Sequence, residues 1–279
     1  MRVRVGLVSD THIPQRWPRV PEVLASVFAG VDLVLHAGDV GELWVLDELS
    51  GIAPVVAVHG NDDSADSQRE LPYQQVVTVG GKRILLWHSH YPDRQEELKA
   101  RREDRWEPSL ARLAQRGRRA AAQVVVYGHT HIPLARVYDG VLLVNPGAIA
   151  SGNIFTRQTR QTAALLTLDG DGPPRVRHVD LAAPDQVCEA PVDWSAGFRA
   201  ALVRYQASMI TPELQRAFDG VTMDVFRNPQ AVIDAILPLS HACWAGQSAF
   251  ITAEDLRRAV VGLEDGDRAV VLGLIGIEV

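Results

Sequence analysis

The sequence predicts an α/β fold with a mixed sheet, followed by a mostly helical C-terminal extension. In the first half of the chain, short runs rich in Val, Ile and Leu alternate with helical stretches, which is typical of parallel strands covered on both faces. Gly-Gly and Asp-Gly pairs then separate further β-runs, which indicates antiparallel hairpins. After Asp180 the pattern becomes mostly helical.

Six apolar runs in the first half are predicted to be strands. They are Val3–Val8, Val31–His36, Val55–Val58, Val76–Val79, Arg83–Trp87 and Val124–Tyr127. The stretches Val20–Phe28 and Leu43–Leu49 are predicted to be the helices that connect parallel strands.

Three turns are predicted between antiparallel strands, at Gly80-Gly81, at Asp139-Gly140 and at Asp169–Gly172. The second turn joins Leu134–Tyr138 to Val141–Val144. The third turn joins Ala163–Leu168 to Arg175–Val179. Parallel strands followed by hairpins indicate one mixed-sheet domain, residues 1–181.

Residues 185–279 are predicted to form a separate helical extension. Thr211-Pro212 and Asn228-Pro229 each place a capping residue before a proline that suits the first helical turn. Thr252–Asp255 resembles a capping box. Because this extension has no recognisable catalytic residues, we expect it to dimerise the protein, to cover the active site, or both.

An arginine-rich, helix-favouring stretch lies between residues 93 and 122. The preferred interpretation is a solvated helical face, which is the usual role of such charge runs. In the alternative, some of these arginines face the active site and bind a substrate phosphate. Spacing alone does not decide between the two.

The composition excludes several classes of protein. An apolar share of 47% with 22% charged residues is ordinary for a globular chain of 279 residues. The formal net charge of −6 argues against stable binding of nucleic-acid backbones, which requires a basic surface. No apolar run approaches a membrane span, and no signal peptide is evident at the N-terminus. Cys188 and Cys243 have no CxxC partner and are expected to be reduced, so we predict a cytoplasmic protein without a membrane partner.

Residues that commonly bind metals follow five of the predicted strands. In order, these segments are Asp10-Thr11-His12, Gly38-Asp39, Gly60-Asn61-Asp62, His88 and Gly128-His129-Thr130-His131. The carboxyl ends of neighbouring strands open into one crevice, so we expect these side chains to converge. The alternative is that these residues have only structural roles. Chance would then have to place Asp, Asn and four His at five successive strand ends, which disfavours this alternative. The sequence therefore predicts a metal centre.

These residue types fit a pair of divalent ions. Two ions about 3.5–4 Å apart can hold a phosphoryl group and activate a bridging hydroxide for in-line attack. Holding two cations so close requires a bridging carboxylate, for which Asp39 is the candidate. Imidazole combined with carboxylate and amide oxygens suits Mn, Fe, Zn, Co or Ni better than an all-oxygen magnesium site. The expected cofactor is two divalent ions, with Mn²⁺ as the first choice.

The ordered set resembles the calcineurin-like metallophosphoesterase family, and within it the YfcE type of small bacterial and archaeal phosphodiesterases. Asn145-Pro146-Gly147 lies where such proteins carry a similar loop after the paired histidines. The resemblance covers residues 1–181 and implies a four-layer α-β-β-α sandwich. It also implies a filled ligand set, unlike a retromer scaffold subunit of the family in which metal binding and catalysis are impaired.

The resemblance divides the ligands between two metals. One metal would be held by Asp10, His12, Asp39 and His131, and the other by Asp39, Asn61, His88 and His129. Asn61 would also touch a phosphate oxygen. The catalytic residues implied in this way are Asp39, Asn61, His88 and His129.

The sequence departs from the family pattern after Asn61. Many relatives have a histidine there that is thought to protonate the leaving group, whereas this chain has Asp62 followed by Asp63. A carboxylate could act as the acid only if its pKa were raised well above a model value of about 3.9. Ser89 also replaces the commoner glycine, and His90 is expected to cap a loop rather than approach the site. The general acid is therefore unassigned.

The leading functional prediction is a phosphodiesterase that acts on small or cyclic nucleotide-type diesters. A phosphomonoesterase, including a protein phosphatase, is the alternative in chemistry, and a nuclease is a third option that the acidic balance disfavours. A metal-binding scaffold of the same fold is the alternative from another class. The expected partner is a small phosphate ester, together with a second copy of the chain bound through the extension.

Overall fold

The structure is a computed structural model that describes residues 2–186, 188, 192–218, 221 and 223–276. It divides the chain into two compact units. The first comprises Met1–Gly152 and Gln158–Gln206, and the second comprises Asn153–Arg157 and Ala207–Val279. None of the helices in the described ranges has the length and hydrophobicity needed to cross a bilayer.

The strands are β1 (Arg2–Val8), β2 (Leu33–His36), β3 (Val55–Ala57), β4 (Gln74–Val79), β5 (Lys82–Trp87), β6 (Val124–Tyr127), β7 (Leu134–Tyr138), β8 (Val141–Asn145), β9 (Thr156–Gln158), β10 (Thr162–Asp169), β11 (Arg175–Asp180) and β12 (Gln206–Ser208). The α-helices are α1 (Val23–Val27), α2 (Trp44–Ser50), α3 (Ala65–Glu70), α4 (Arg94–Glu103), α5 (Trp106–Arg119), α6 (Phe198–Leu202), α7 (Pro212–Phe218), α8 (Pro229–Trp244), α9 (Ala253–Ala259) and α10 (Asp265–Leu274). Short 3₁₀ helices lie at Met223–Val225 and Val260–Gly262.

All six strands predicted for the first half are present, with ends that differ from the prediction by at most two residues. The three predicted turns each join antiparallel strands, namely β4 to β5, β7 to β8 and β10 to β11. Helix α1 is shorter than predicted, and α3 was not predicted because its polar sequence ADSQRE has no apolar stripe.

The first unit contains two five-stranded sheets. One has the order β11-β10-β1-β2-β3, in which β1, β2 and β3 are parallel and β10 pairs antiparallel with both neighbours. The other has the order β4-β5-β6-β8-β7, with β5, β6 and β8 parallel. The parallel strands of each sheet are neighbours, from the centre to one edge in the first sheet and at the centre of the second, so their carboxyl ends lie side by side.

Side-chain alternation along the strands produces four layers. On β5, Ile84 and Leu86 join the core between the two sheets, whereas Leu85 joins the core that α5 covers through Leu110 and Leu113. The helices α1 and α2 cover the outer face of the other sheet through a third core. The order helix, sheet, sheet, helix confirms the predicted α-β-β-α sandwich.

The division between the units does not coincide with the predicted boundary at residues 181–185. Trp194 and Phe198 pack on Trp106 of α5 with ring centroids 5.4 Å apart, and Tyr205 is buried in the same core. The burial of these aromatic side chains keeps the chain in the first unit up to Gln206.

The second unit is mainly helical, as predicted for the C-terminal extension. Its core contains Met209, Val232, Ile236 and Leu256 together with other apolar side chains of α7 to α10. The predicted caps are present, because Asn228 accepts a hydrogen bond from the Ala231 N–H and Thr252 forms a capping box with Asp255. The dimerising and covering roles of the extension stay predictions.

Candidate metal centre

Five of the seven predicted ligands meet at the carboxyl ends of the central strands of the first unit. These residues are Asp10, His12, Asp39, His88 and His131, and each is at most 4% exposed. Their carboxylate and imidazole atoms form overlapping groups whose members lie within 4.8 Å of one another. The groups are Asp10, His12 and His131; Asp10, Asp39 and His88; and His12, Asp39 and Asp62.

Asp39 lies close to two of the histidines of this cluster. Its Oδ2 atom lies 3.1 Å from His88 Nε2 and 3.6 Å from His12 Nε2. Asp10 Oδ1 lies 3.1 Å from His131 Nε2. Two ligand atoms that are each about 2.1 Å from one ion, at right angles, are about 3 Å apart. The spacing between these nitrogen and oxygen atoms therefore fits metal coordination.

The hydrogen bonding of His88 provides a direct test of that fit. Its Nδ1 atom lies 2.8 Å from the Ala37 carbonyl oxygen, which requires a proton on Nδ1 and leaves a lone pair on Nε2 in the neutral ring. Within the described part of the chain, Nε2 has no partner that meets hydrogen-bond geometry, although it lies 3.1 Å from Asp39 Oδ2. Burial lowers the pKa of His88, but Asp39 and Asp10 outweigh it and raise the pKa to about 10. A proton on Nε2 satisfies the pair in the metal-free protein, and a divalent ion would replace that proton.

The backbone of the site is strained at the ligands themselves. Asp10, His12, Asp39, His129 and His131 all have positive φ, between 45° and 72°. Such conformations cost about 1–3 kcal/mol each and persist where the surrounding structure enforces them, which is common at functional sites.

Two motif glycines are required for space rather than for a left-handed turn. A Cβ atom on Gly60 would lie 2.1 Å from Asp39 Oδ1. One on Gly128 would lie 2.7 Å from the Ala37 carbonyl oxygen and 2.9 Å from Asp10 Oδ2. These glycines let neighbouring loops pack directly against the ligand carboxylates.

Backbone amides and a buried amide side chain position the carboxylates. Asp10 accepts from the His129 N–H at 3.1 Å, and Asp39 Oδ1 accepts from the Asp62 N–H at 2.8 Å. Burial raises the pKa of Asp10, but the neighbouring His131 lowers it overall, to about 2. Asn145 donates to the Gly128 carbonyl oxygen at 2.9 Å and accepts from the Gly147 N–H at 2.8 Å. The loop after β8 therefore holds the loop that carries the paired histidines.

The other two predicted ligands lie beside the cluster. The Asn61 side chain is exposed and donates to Asp62 Oδ1 at 2.7 Å. The His129 ring lies 5.1 Å from the His88 ring, and its Nε2 atom is 2.9 Å from Glu97 Oε1. Their roles as ligands stay predictions.

Sequence reasoning missed two charged residues at the site. Arg16 pairs with Asp62 at 2.7 Å, and its guanidinium also lies 3.5 Å from His12 Nε2. Glu97 of α4 is 5% exposed and contacts His129. Neither residue has a sequence signal, because one lies in an irregular proline-containing loop and the other lies among several charged residues of a helix.

The two acidic residues after Asn61 differ in their electrostatics. Burial raises the pKa of Asp62, but the Arg16 guanidinium outweighs it and holds the pKa below its ordinary value. Burial and the nearby Asp39 raise the pKa of Asp63 to about 6. Asp63 uses both carboxylate oxygens to accept the Gly41 and Gly60 N–H groups at 2.7 Å, so it ties two loops of the site together.

Comparison with known proteins agrees with this geometry. Residues 3–171 match the calcineurin-like phosphoesterase superfamily domain. A probable metallophosphoesterase of Methanothermobacter thermautotrophicus is 32% identical over 167 residues, which cover 60% of this chain and 87% of that protein. A phosphodiesterase of Methanocaldococcus jannaschii is 24% identical over 159 residues, covering 52% of this chain and 83% of that protein.

Among solved structures, Vacuolar Protein Sorting 29 from Cryptosporidium parvum is 23% identical, covers 64% of this chain and 97% of its own, and has a TM-score of 0.48. The domain match ends at residue 171, before the second unit's long C-terminal segment begins at Ala207. All the buried aspartate and histidine residues of the candidate metal centre lie within this match. The chain therefore belongs to the calcineurin-like phosphoesterase superfamily, a family of metal-dependent hydrolases of phosphate esters.

Proposed function

We propose that this protein is a two-metal phosphodiesterase that hydrolyses small nucleotide-type phosphodiesters, cyclic nucleotides included, with Mn²⁺ as the preferred ion. The observation that carries the proposal is the position of Asp39 Oδ2, which lies close to both His12 and His88. These histidines belong to different predicted ligand sets, so one carboxylate stands where two ions would have to be bridged.

The chain's own residues define the two ligand sets. Asp10, His12 and His131 would hold one ion with Asp39, and Asn61, His88 and His129 would hold the other with Asp39. A pair of divalent ions supplies neutralisation of the phosphoryl oxygens and a water nucleophile of lowered pKa. For Asn61 and His129, ligation requires that the amide turn from Asp62 and that the imidazole bind through Nδ1 while Nε2 faces Glu97.

Arg16 is suited to contact the phosphoryl group. Its side chain is 15% exposed and is held by Asp62 and by the Ser151 carbonyl oxygen, at 2.7 and 3.1 Å. A guanidinium fixed beside His12 can donate to the oxygens that gain charge during displacement.

The electrostatics around Asn61 favour a diester over a monoester. A leaving group of high pKa needs a proton donor, but Arg16 keeps Asp62 ionised. Asp63 has its carboxylate oxygens engaged by backbone N–H groups. Esters with good leaving groups and strained cyclic diesters need less protonation. The phosphodiesterase name of the archaeal relative supports the same choice.

The first test is hydrolysis of bis-p-nitrophenyl phosphate by metal-stripped protein, with and without Mn²⁺, beside p-nitrophenyl phosphate. We expect turnover that depends on Mn²⁺ and favours the diester. Preference for the monoester would support the phosphomonoesterase alternative. Absence of turnover with Mn²⁺, Ni²⁺, Co²⁺ and Zn²⁺ would contradict the enzyme proposal and favour a metal-binding scaffold. The cytoplasmic location and the homodimer are part of the same proposal, and sedimentation of the purified protein tests the dimer.

A further inference from the structure

A cationic, aromatic pocket lies on the first unit beside the strand that carries His88. It has a volume of about 200 Å³ and is lined by Tyr73, Trp87, Pro92, Arg112, Gln115, Arg116 and Arg119. The four lining residues from α5 have the spacing i, i+3, i+4, i+7, which places them on one face of that helix. These seven residues include three arginines and no carboxylate, in a chain whose formal net charge is −6.

Aromatic stacking holds the first of these arginines in place. The Arg112 guanidinium carbon lies 4.6 Å from the centroid of the Trp87 ring and 3.9 Å from that of Tyr91. Arg112 also donates through Nη2 to the Ser89 carbonyl oxygen. Arg116 lies over the same Trp87 ring at 5.3 Å and donates to Gln74 at 2.8 Å. The positive charges are therefore ordered before a ligand arrives, which lowers the entropic cost of binding.

Two hydrogen-bond donors on the lining residues lack an acceptor. Trp87 is 2% exposed, and among the residues that the structure describes neither its indole Nε1 nor Nε of Arg112 has a hydrogen-bond partner. Leaving a buried donor unsatisfied costs about 1–3 kcal/mol.

A short series of ring contacts connects the pocket to the predicted metal ligands. The Tyr73 ring lies 5.1 Å from the His90 ring, and the His90 ring lies 5.5 Å from the His88 ring. Trp87 is the last residue of β5 and directly precedes His88. A substrate with its scissile phosphate at the metal cluster could extend a second group past His90 to this pocket.

We infer that the pocket binds a second phosphate group of the substrate, so that the preferred substrates are nucleotide-type diesters that carry a further phosphate. Arg116 and Arg119 supply the charge, Arg112 supplies an oriented donor, and the Tyr73 and Trp87 rings border the planar part of the ligand. The inference rests on the proposed phosphodiesterase function. It also gives a role to part of the arginine-rich stretch between residues 93 and 122, because three arginines of α5 line this pocket.

The test compares two diesters that differ by one phosphate. They are thymidine 5′-(p-nitrophenyl phosphate) and the same compound with a 3′-phosphate. We expect the 3′-phosphate to lower KM by about tenfold, which charge-assisted hydrogen bonds commonly supply. In Arg116→Gln/Arg119→Gln this advantage should disappear, so that the two diesters have the same KM. Arg118→Gln removes a charge from the same helix outside the pocket, at a residue that pairs with Asp139, and should retain the advantage.

Equal KM values for both diesters in the wild type would overturn the inference, and so would a double variant that keeps the difference. If neither diester is hydrolysed, the proposed function has failed and the pocket is tested separately. Calorimetry with thymidine 3′,5′-bisphosphate in EDTA should then show binding by the wild type and by Arg118→Gln, and loss of binding in the double variant. Absence of binding to the wild type in that titration would also overturn the inference.

Discussion

Glu97 Oε1 lies 2.9 Å from His129 Nε2, so a buried carboxylate from the arginine-rich helix α4 contacts one of the predicted metal ligands. Most residues of helix α4 are charged, and the neighbouring Glu96 is exposed. A carboxylate that accepts the distal N–H of a ligating imidazole fixes the tautomer and the ring orientation and increases the basicity of the ligand. Glu97 is therefore expected to be a positioning residue.

Glu97→Gln should weaken binding of the ion that His129 is predicted to hold by about 10–100-fold, the range seen when hydrogen-bond partners of metal ligands are lost. The measurement is a calorimetric titration of metal-stripped protein with Mn²⁺, which resolves the two binding steps. Glu96→Gln is the matched control on the same helix and should bind both ions as the wild type does. Equal affinities in the two variants would contradict this role for Glu97.

Asp39→Asn should have a larger effect because it removes charge at the position proposed to bridge the two ions. We expect Mn²⁺ affinity to fall by at least about a hundredfold, since losing a ligand costs no less than losing its hydrogen-bond partner. The bound metal is counted by elemental analysis after gel filtration. Asp47→Asn, an exposed carboxylate in the first turn of α2, is the control. Retention of two ions by Asp39→Asn would disprove the bridging assignment.

Arg16→Gln tests transition-state contact separately from metal binding. The change removes a donor beside His12, and loss of one such preorganised donor lowers kcat by about 10²–10³-fold. The number of ions bound should stay unchanged. Steady-state kinetics with bis-p-nitrophenyl phosphate measure kcat, and elemental analysis measures the metal. A loss of activity that follows metal loss would instead assign Arg16 to the integrity of the site.

His36 makes a pH-dependent contribution to stability. It is fully buried between Thr11 Oγ1, at 3.0 Å from Nε2, and the Gly38 N–H, at 3.2 Å from Nδ1. Burial lowers its pKa from 6.5 to about 4. The unfolded chain therefore binds more protons between pH 6.5 and pH 4, so the stability contributed by neutral His36 is present above pH 6.5 and is lost as the pH falls through this range. The loss amounts to about 3 kcal/mol.

Urea unfolding in EDTA from pH 7 to pH 4.5 measures this effect, because metal release is then removed from the comparison. The unfolding free energy of His36→Gln should lie below that of the wild type at pH 7, and the difference should shrink as the pH falls. Parallel curves would show that His36 does not titrate in this range.

Phe198→Ala tests whether the segment after residue 181 stabilises the unit that holds the metal centre. Phe198 is partly buried against Trp106, so we expect a loss of about 2 kcal/mol. Urea unfolding followed by circular dichroism should show an earlier first transition. Phe250→Ala, at a side chain that is 50% exposed, should leave the curve unchanged. If neither variant shifts the curve, Phe198 contributes little to the stability of the first unit.

Much of the candidate site could be predicted from the sequence because its predicted ligands directly follow strands. Asp10, Asp39 and His88 each come within three residues of a central β-run, and parallel strands place their carboxyl ends together. The strands themselves are short Val- and Leu-rich runs with clear turns between them. The helix α3 was not predicted, and the first compact unit extends beyond residue 181, since a polar helix and partly buried aromatic residues have no distinctive local pattern.

By itself, then, the sequence determined the strands, the turns and the five Asp and His residues that converge at strand ends, because periodicity and strand-end position are local properties of a chain. The two-sheet sandwich was predicted from the family resemblance. Tertiary structure alone decided that Glu97 contacts His129, that Arg16 pairs with Asp62, and that three arginines of α5 line a pocket near the metal cluster. The two ion pairs join positions 32 and 46 residues apart. Such contacts depend on how helices and loops pack on the sheets, and no local spacing rule encodes them.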